Sequence, residues 1–262
     1  MPDITINQNC LHLEQDGTGD SLVFLHGLGS CGQDWLLQIP VLADRFHVIA
    51  PDLRVHGQSA RPQGRICVAD LAGDVTDIMD TLGVERAHLV GLSLGGCVAQ
   101  QIALDCPARI RSLTLVNTFA RLDSGEPRSA ILVALRMFIL GILGLPTQAR
   151  FVAARLFPKP EQAPLRQIAA QRIAANDPAT YRRMLIAIRR FDVRGRLGEI
   201  RCPTLVIAGD RDTTVPLRAK RFLAAHIPGA QLEIVADSGH ATPVDQPDAF
   251  NELLTRFLQS VS

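Results

Sequence analysis

Lysine is almost missing from this sequence: of 27 basic residues only Lys159 and Lys220 are lysine, and 262 residues hold a single Trp and a single Tyr. Basic and acidic residues nearly cancel, 27 against 26, leaving a formal charge of +1, which gives no footing for a protein that wraps nucleic acid. The lysine deficit sits beside many Arg, Ala and Pro residues and reads as compositional bias, with no function attached. The six cysteines (Cys10, Cys31, Cys67, Cys97, Cys106 and Cys202) form no C-x-x-C pair, and several lie in apolar stretches, so reduced structural thiols are expected. No histidine pair has the H-E-x-x-H spacing, which argues against a metal hydrolase, and no metal or cofactor is expected. The longest apolar run, Ile131 to Leu145, is 15 residues long and contains Arg136, too short for a bilayer core about 30 Å thick. Met1-Pro2-Asp3-Ile4-Thr5 lacks the basic stretch and apolar core of a secretory signal, so no membrane span and a cytoplasmic location are expected.

What is present fits a globular chain of one or two domains, with 47% apolar and 20% charged residues. Short apolar runs bounded by turn residues recur at Leu22–Leu25, His47–Ala50, His88–Gly91, Leu113–Val116, Thr204–Ala208 and Leu232–Val235. Unbroken apolarity over four or five residues suits strands buried on both faces. Between them, apolar residues recur at helical spacing, as in Val68, Leu71, Val75, Ile78, Met79 and Leu82, or Ala249, Leu253, Leu254 and Phe257. The alternation predicts an α/β fold: a doubly wound, mainly parallel eight-stranded sheet with helices on both faces. Ile4 and Ile6, then Leu11 and Leu13, alternate with polar residues around Asn7-Gln8-Asn9, which predicts an antiparallel hairpin at the N-terminal edge.

The alternation stops near Phe119 and resumes near Leu197. Residues 121–196 are helical in pattern and punctuated by Gly and Pro, so a helical cap is expected there, inserted into a core of residues 1–120 and 197–262. The cap holds fourteen basic residues against five acidic ones, about +9, and the remainder carries about −8.

The chemistry concentrates in Gly91-Leu92-Ser93-Leu94-Gly95, set between an apolar strand and the helical Cys97–Ala103. A Ser flanked two residues each way by Gly at a strand-to-helix turn is the nucleophile-elbow pattern, with Gly91 and Gly95 needed because side chains there would clash. A serine hydroxyl needs a general base, itself oriented by a carboxylate, and both are expected downstream at strand ends. The strand Thr204–Ala208 leads into Gly209-Asp210-Arg211-Asp212, and the strand Leu232–Val235 leads into Asp237-Ser238-Gly239-His240. His240 is favoured as base by its place after a Ser-Gly turn. The oxyanion formed on attack would be met by backbone N–H groups of Leu94 and of Leu28, in the His26-Gly27-Leu28-Gly29 loop. His12, His47, His88 and His226 read as surface or strand residues, His26 and His56 as braces of the site, and Trp35 as a packing residue.

With these residues in their order, the sequence resembles the alpha/beta-hydrolase family over essentially its full length. The resemblance rests on His26-Gly27-Leu28-Gly29, Asp52-Leu53-Arg54-Val55-His56-Gly57-Gln58-Ser59, the elbow at Ser93, the G-x-x-D-x-x-V-P pattern ending in Pro216, and Ser238-Gly239-His240. It implies a triad of Ser93, Asp212 and His240, choosing Asp212 over Asp210. Relatives usually read D-x-R-G-x-G-x-S where this chain has Val55 for the first Gly. A β-branched residue disfavours φ > 0, so the loop is expected either not to need that conformation or to bend differently. Haloalkane dehalogenases and epoxide hydrolases use Asp at the elbow, so Ser93 implies acyl transfer to water: a carboxylic ester or lactone hydrolase acting on a small molecule. In the cap, Ile131, Leu132, Leu135, Phe138, Ile139, Ile142 and Leu143 are candidates to line an acyl pocket, and the surplus Arg to attract an anionic substrate; the alternative is a cap that buries the former and solvates the latter. Enol-lactone hydrolases of aromatic breakdown, with which Asn117-Thr118 is compatible, carbon–carbon hydrolases of ring-cleavage products, and slow-turnover signalling binders stay open beside the ester reading.

Overall fold

The apolar runs become the strands of one eight-stranded sheet, and the expected alternation with helices holds. The computed structural model describes residues 3–6, 9–61, 64–122 and 127–261. In chain order, β1 (Asp3–Ile6), β2 (Asn9–Asp16) and β3 (Asp20–Leu25) precede α1 (Ile39–Leu42), β4 (Phe46–Pro51), α2 (Val68–Thr81), β5 (Ala87–Leu92), α3 (Leu94–Asp105) and β6 (Ile110–Val116). Then come α4 (Pro127–Phe138), α5 (Gly144–Leu156), α6 (Ala163–Ala174) and α7 (Pro178–Arg190), and finally β7 (Thr204–Gly209), α8 (Leu217–His226), β8 (Gln231–Val235), α9 (Thr242–Asp245) and α10 (Pro247–Val261). The strands lie in the order β1-β2-β4-β3-β5-β6-β7-β8. β2 is antiparallel to both its neighbours and the pairs from β4 to β8 are parallel, so the expected N-terminal edge pair is present. The Asn7-Gln8 part of its turn lies outside the described residues.

Strand periodicity sorts the core. Val23 and Leu25 of β3 point to the face covered by α2 and α3, whereas Leu22 and Phe24 point to the face that holds Trp35, α1 and α10. Trp35 is buried and stacks on Phe24 with ring centroids 4.5 Å apart, the packing role expected of it. In α10 the buried stripe is Phe250, Leu254, Phe257 and Leu258, which leaves Ala249 and Leu253 at the margin. β8 departs from the expectation of strands buried on both faces: it closes the sheet as an edge, and Ile234 is exposed. The thiols are all free, but only Cys97 is buried, and Cys10 and Cys67 are exposed.

Two features position the site. The chain runs from β3 to β4 on one side and to β5 on the other, so a crevice opens at the carboxyl ends of β3 and β5. Between β6 and β7 lie α4 to α7, with a π-helical turn at Ile139–Leu143 joining α4 to α5. The helical stretch Ala134–Leu156 is long and apolar enough, on length and composition, to cross a membrane. Leu145, Ala149 and Ala153 within it are buried against the rest of the protein, while Leu135, Phe138, Ile142 and Leu143 are exposed.

Candidate active site

Ser93 sits where β5 turns into α3, with φ 54° and ψ −110°. A non-glycine residue at positive φ is strained and persists only where its surroundings over-determine it. Here the Ser93 N–H donates to the Val116 carbonyl at 3.0 Å, and the Thr118 hydroxyl donates to the Ser93 carbonyl at 2.6 Å. The flanking glycines are forced by space: a Cβ on Gly95 would overlap the Leu25 carbonyl of β3, and one on Gly91 would overlap the backbone of Gly95. Leu94 is the first residue of α3, so its N–H has no partner within the helix and lies at the positive end of the dipole.

His240 is carried by the loop after β8. Its Nδ1 lies 2.9 Å from Asp212 Oδ2, in the loop after β7. The two backbone N–H groups of Thr214 and Val215 donate to Asp212 Oδ1, at 2.7 and 3.0 Å. A third donor, the ammonium of Lys220 on α8, reaches Oδ2 at 2.8 Å. Burial by itself would raise the Asp212 carboxyl, but the imidazole and the ammonium beside it hold it well below the usual carboxylate range. Asp210 takes a different job, with Oδ1 accepting the Ser238 N–H at 3.1 Å. The structure thus puts Asp212, not Asp210, on the imidazole.

The His26–Gly29 loop closes the other side. His26 is fully buried, with Nδ1 2.8 Å from the Gly27 carbonyl and Nε2 accepting the Leu53 N–H at 3.0 Å. His56 packs edge-on against it at 5.0 Å. Burial lowers His26 to about 4 and His56 to about 3, so both are neutral braces. Val55, in the neighbouring loop, takes φ 67°, which overturns the first of the two expected alternatives, a loop that does not need the left-handed conformation. Its side chain is buried in the core, and its N–H donates to the Ala60 carbonyl at 3.0 Å; these contacts offset the strain.

Ser93, His240, Gly27 and Leu28 line one cavity of about 370 Å³. Its walls are largely carbon, from Val152 and Leu156 of α5, Leu165, Ile168 and Ile173 of α6, and Leu36 and Leu37. This corrects the expected acyl lining. Ile131, Leu135, Phe138, Ile142 and Leu143 face outward, with Ile142 70% exposed, while Ile139 is buried away from the cavity. The side chain of Leu132 lies outside the described residues. The outward stripe of α4 and the cavity wall from α5 and α6 have similar composition, and Ile168 of that wall is itself exposed, so only packing tells them apart.

Arginine at the cavity is not uniform. Arg172 is paired with Asp34, whereas Arg136 has no carboxylate partner among the described residues. The Arg136 guanidinium donates to the Tyr181 hydroxyl at 3.2 Å and, with the Gln148 amide oriented to satisfy both its ends, to Gln148 Oε1 at 3.0 Å.

The contacts of two residues escaped sequence reasoning, which noted Asn117 only as compatible with an enol-lactone hydrolase. Asn117 Nδ2 donates to the carbonyls of Gly239 and His240 and to Thr242 Oγ1, at 3.1, 2.9 and 2.8 Å, while Oδ1 accepts the Gly209 N–H at 2.9 Å. It ties the ends of β6, β7 and the His240 loop together; its place at a strand end was the only signal. Lys220 gave none beyond the rarity of lysine. Among the described residues no group of three or more His, Cys, Asp or Glu is arranged to hold a metal.

A family model described as "Alpha/beta hydrolase family" matches residues 22–253. The protein named "Putative carbamate hydrolase RutD" from Azorhizobium caulinodans is 36% identical, over 94% of each chain. The 3-oxoadipate enol-lactonase 1 of Acinetobacter baylyi is 30% identical, over 92% of this chain and 89% of its own. Among solved structures, the enol-lactonase of Burkholderia xenovorans LB400 superposes with a TM-score of 0.91 at 29% identity, covering 98% of this chain and all of that one.

Proposed function

The chain belongs to the alpha/beta hydrolase family, and we propose that within it the protein cleaves a small carboxylic ester or lactone through an acyl-enzyme on Ser93. The observation that carries this reading is the convergence of three chain segments: Ser93 and His240 open on one cavity, and Asp212 holds the far nitrogen of His240. His240 Nε2 takes the Ser93 proton as Oγ attacks the carbonyl, and Asp212 keeps Nδ1 protonated and stabilises the imidazolium. The N–H groups of Leu28 and Leu94 face the oxyanion. His240 then returns the proton to the leaving oxygen, and water releases the acid by the same route reversed. In this reading residues 1–120 and 197–262 are the core and 121–196 the cap that shapes the pocket.

The relatives named for carbamate hydrolysis and for an enol-lactone both cleave at an acyl carbon, so the same triad serves either. A cavity of about 370 Å³ walled by carbon favours an alkyl or cyclic acyl group over a ligand as small as carbamate itself. Arg136, without a carboxylate of its own among the described residues, supports a substrate carrying one negative charge at that end of the pocket.

Mass spectrometry of the protein quenched during turnover of a p-nitrophenyl ester tests the reading. The expected result is an acyl adduct on the peptide holding Ser93, with turnover reduced by about 10⁴-fold or more in Ser93→Ala. Undiminished turnover in Ser93→Ala would overturn it, and binding of esters and lactones without turnover would favour a slow signalling relative.

A further inference from the structure

The Lys220 side chain is wholly buried, as is that of Asp212. Its Nζ donates to Asp212 Oδ2 at 2.8 Å and to the Val215 carbonyl. Asp212 does not need this lysine to be satisfied, because the His240 imidazole and two backbone amides already supply three donors. A Met or Leu would fill the space without the cost of taking an ammonium out of water. What Lys220 adds is a positive charge on the oxygen that faces His240.

That charge matters when the proton moves. At rest, Asp212 and Lys220 sum to zero. When His240 accepts a proton, the imidazolium therefore meets a neutral ion pair, not a lone carboxylate, and in a dry site the difference is large. The imidazolium is less stabilised, and its proton passes more readily to a leaving group.

We propose that Lys220 is a positioning residue that pins Asp212 Oδ2 and neutralises its charge, thereby setting the lower pH limit at which His240 works as a base. The inference rests on the assignment of His240 and Asp212 made above. Burial pulls the Lys220 ammonium down, and the Asp212 charge opposes this. The other charges around the pair are Asp210 at the end of β7, Asp245 on α9, which holds the Gly239 N–H, Arg155 on α5, which holds the Thr213 carbonyl, and Arg136 at the cavity. None of these four has a hydrogen bond to Asp212 or His240 among the described residues, so Lys220 is the cation in direct contact.

The scarcity of lysine makes a direct test practical. Protein labelled with ¹⁵Nζ-lysine has two side-chain signals, Lys159 and Lys220. The Lys220 signal, identified by its loss in Lys220→Met, is expected to shift with a midpoint matching the acid limb of kcat/KM, to lose that midpoint in His240→Ala, and to leave Lys159 unaffected. In Lys220→Met and Lys220→Gln the acid limb is expected to move to higher pH by about one unit. A merely structural lysine would lower the melting temperature and kcat and leave the limb in place. A Lys220 signal that is flat across the limb, or a limb within about 0.2 unit of the unmodified protein in both variants, would overturn the proposal. If the variants do not fold, titration of the unmodified protein decides. If no ester or lactone is hydrolysed the proposed function fails, while the dependence of the Lys220 signal on His240 still decides the coupling.

Discussion

At the scale of single residues, two carboxylates two positions apart illustrate how environment assigns work. Asp210 and Asp212 leave the same strand end, but only Asp212 is buried against an imidazole and an ammonium, while Asp210 accepts a backbone N–H of the opposite loop. Asp212→Asn is accordingly expected to lower kcat by about 10⁴-fold, because an amide fails to hold the productive tautomer of His240. Asp210→Asn keeps an acceptor for Ser238 and is expected to change kcat by less than about threefold. Steady-state kinetics on one activated ester checks both, and the reverse ranking would make Asp210 the acid. Asn117 belongs to the same scale: one buried amide holds the carbonyls of Gly239 and His240 and the amide of Gly209. Sequence placed it at the end of β6 but did not reveal its partners, which are 92 to 123 residues away.

At the scale of elements, the turn from β5 to α3 depends on closeness. Gly95 of α3 lies against the Leu25 carbonyl of β3, backbone against backbone, and no rotamer change relieves an added methyl. Gly95→Ala is expected to destabilise the protein by about 2 kcal/mol or more, and to cut activity beyond the loss of folded protein, since the shift falls on Ser93. Thermal unfolding combined with active-site titration separates the two effects. Gly141, in the π-helical turn, has no heavy atom near its missing Cβ, so Gly141→Ala serves as the control. The helices of the 121–196 segment teach the opposite lesson. The apolar stripe on α4 is the stronger pattern in sequence, yet it faces outward, and the cavity is walled by the less regular apolar residues of α5 and α6. Periodicity says that a helix has an apolar face; it does not say which surface meets that face.

At the scale of the whole molecule, the near-neutral total hides a division that the structure partly spends on contacts. Arg172 pairs with Asp34, Lys159 with Asp237, and Arg196 with Asp105 at 3.1 Å, joining the basic segment to the acidic remainder. Arg136 is held by neutral groups instead. An ester with a terminal carboxylate is therefore expected to be preferred over its neutral isostere, by a margin that shrinks several-fold between about 0.05 and 0.5 M salt. Equal kcat/KM for the two esters at low salt would assign the arginines to solvation and cross-contacts alone. Stability against acid is also a property of the whole. Burial lowers His26, His56 and His88 to about 4, 3 and 4. Between pH 6.5 and about 4 the unfolded chain binds protons on these imidazoles that the folded chain does not, so stability is full above that window and falls as pH falls through it. Asp212, with its depressed carboxyl, adds a further loss below about pH 4, and Asp34 and Asp245, raised by burial, act in the opposite sense. Urea unfolding is expected to show a loss of at least about 3 kcal/mol between pH 7 and 4; a flat profile would mean that these histidines are not buried neutral.

The local patterns in this chain were enough for its architecture: unbroken apolar runs become strands, buried except at the β8 edge, helical spacing becomes covering helices, and glycines two residues either side of Ser93 mark a turn too tight for a Cβ. Such signals are written in neighbouring residues, where steric and hydrophobic rules act. The cavity wall, the orientation of α4, the left-handed Val55 and the charge beside Asp212 were decided only by the tertiary structure. Each depends on which distant surfaces meet, and burial sets the energy of those meetings. Lysine, the residue this sequence nearly lacks, shows the difference: as composition Lys220 meant nothing, and its placement against Asp212 is what gives it a role.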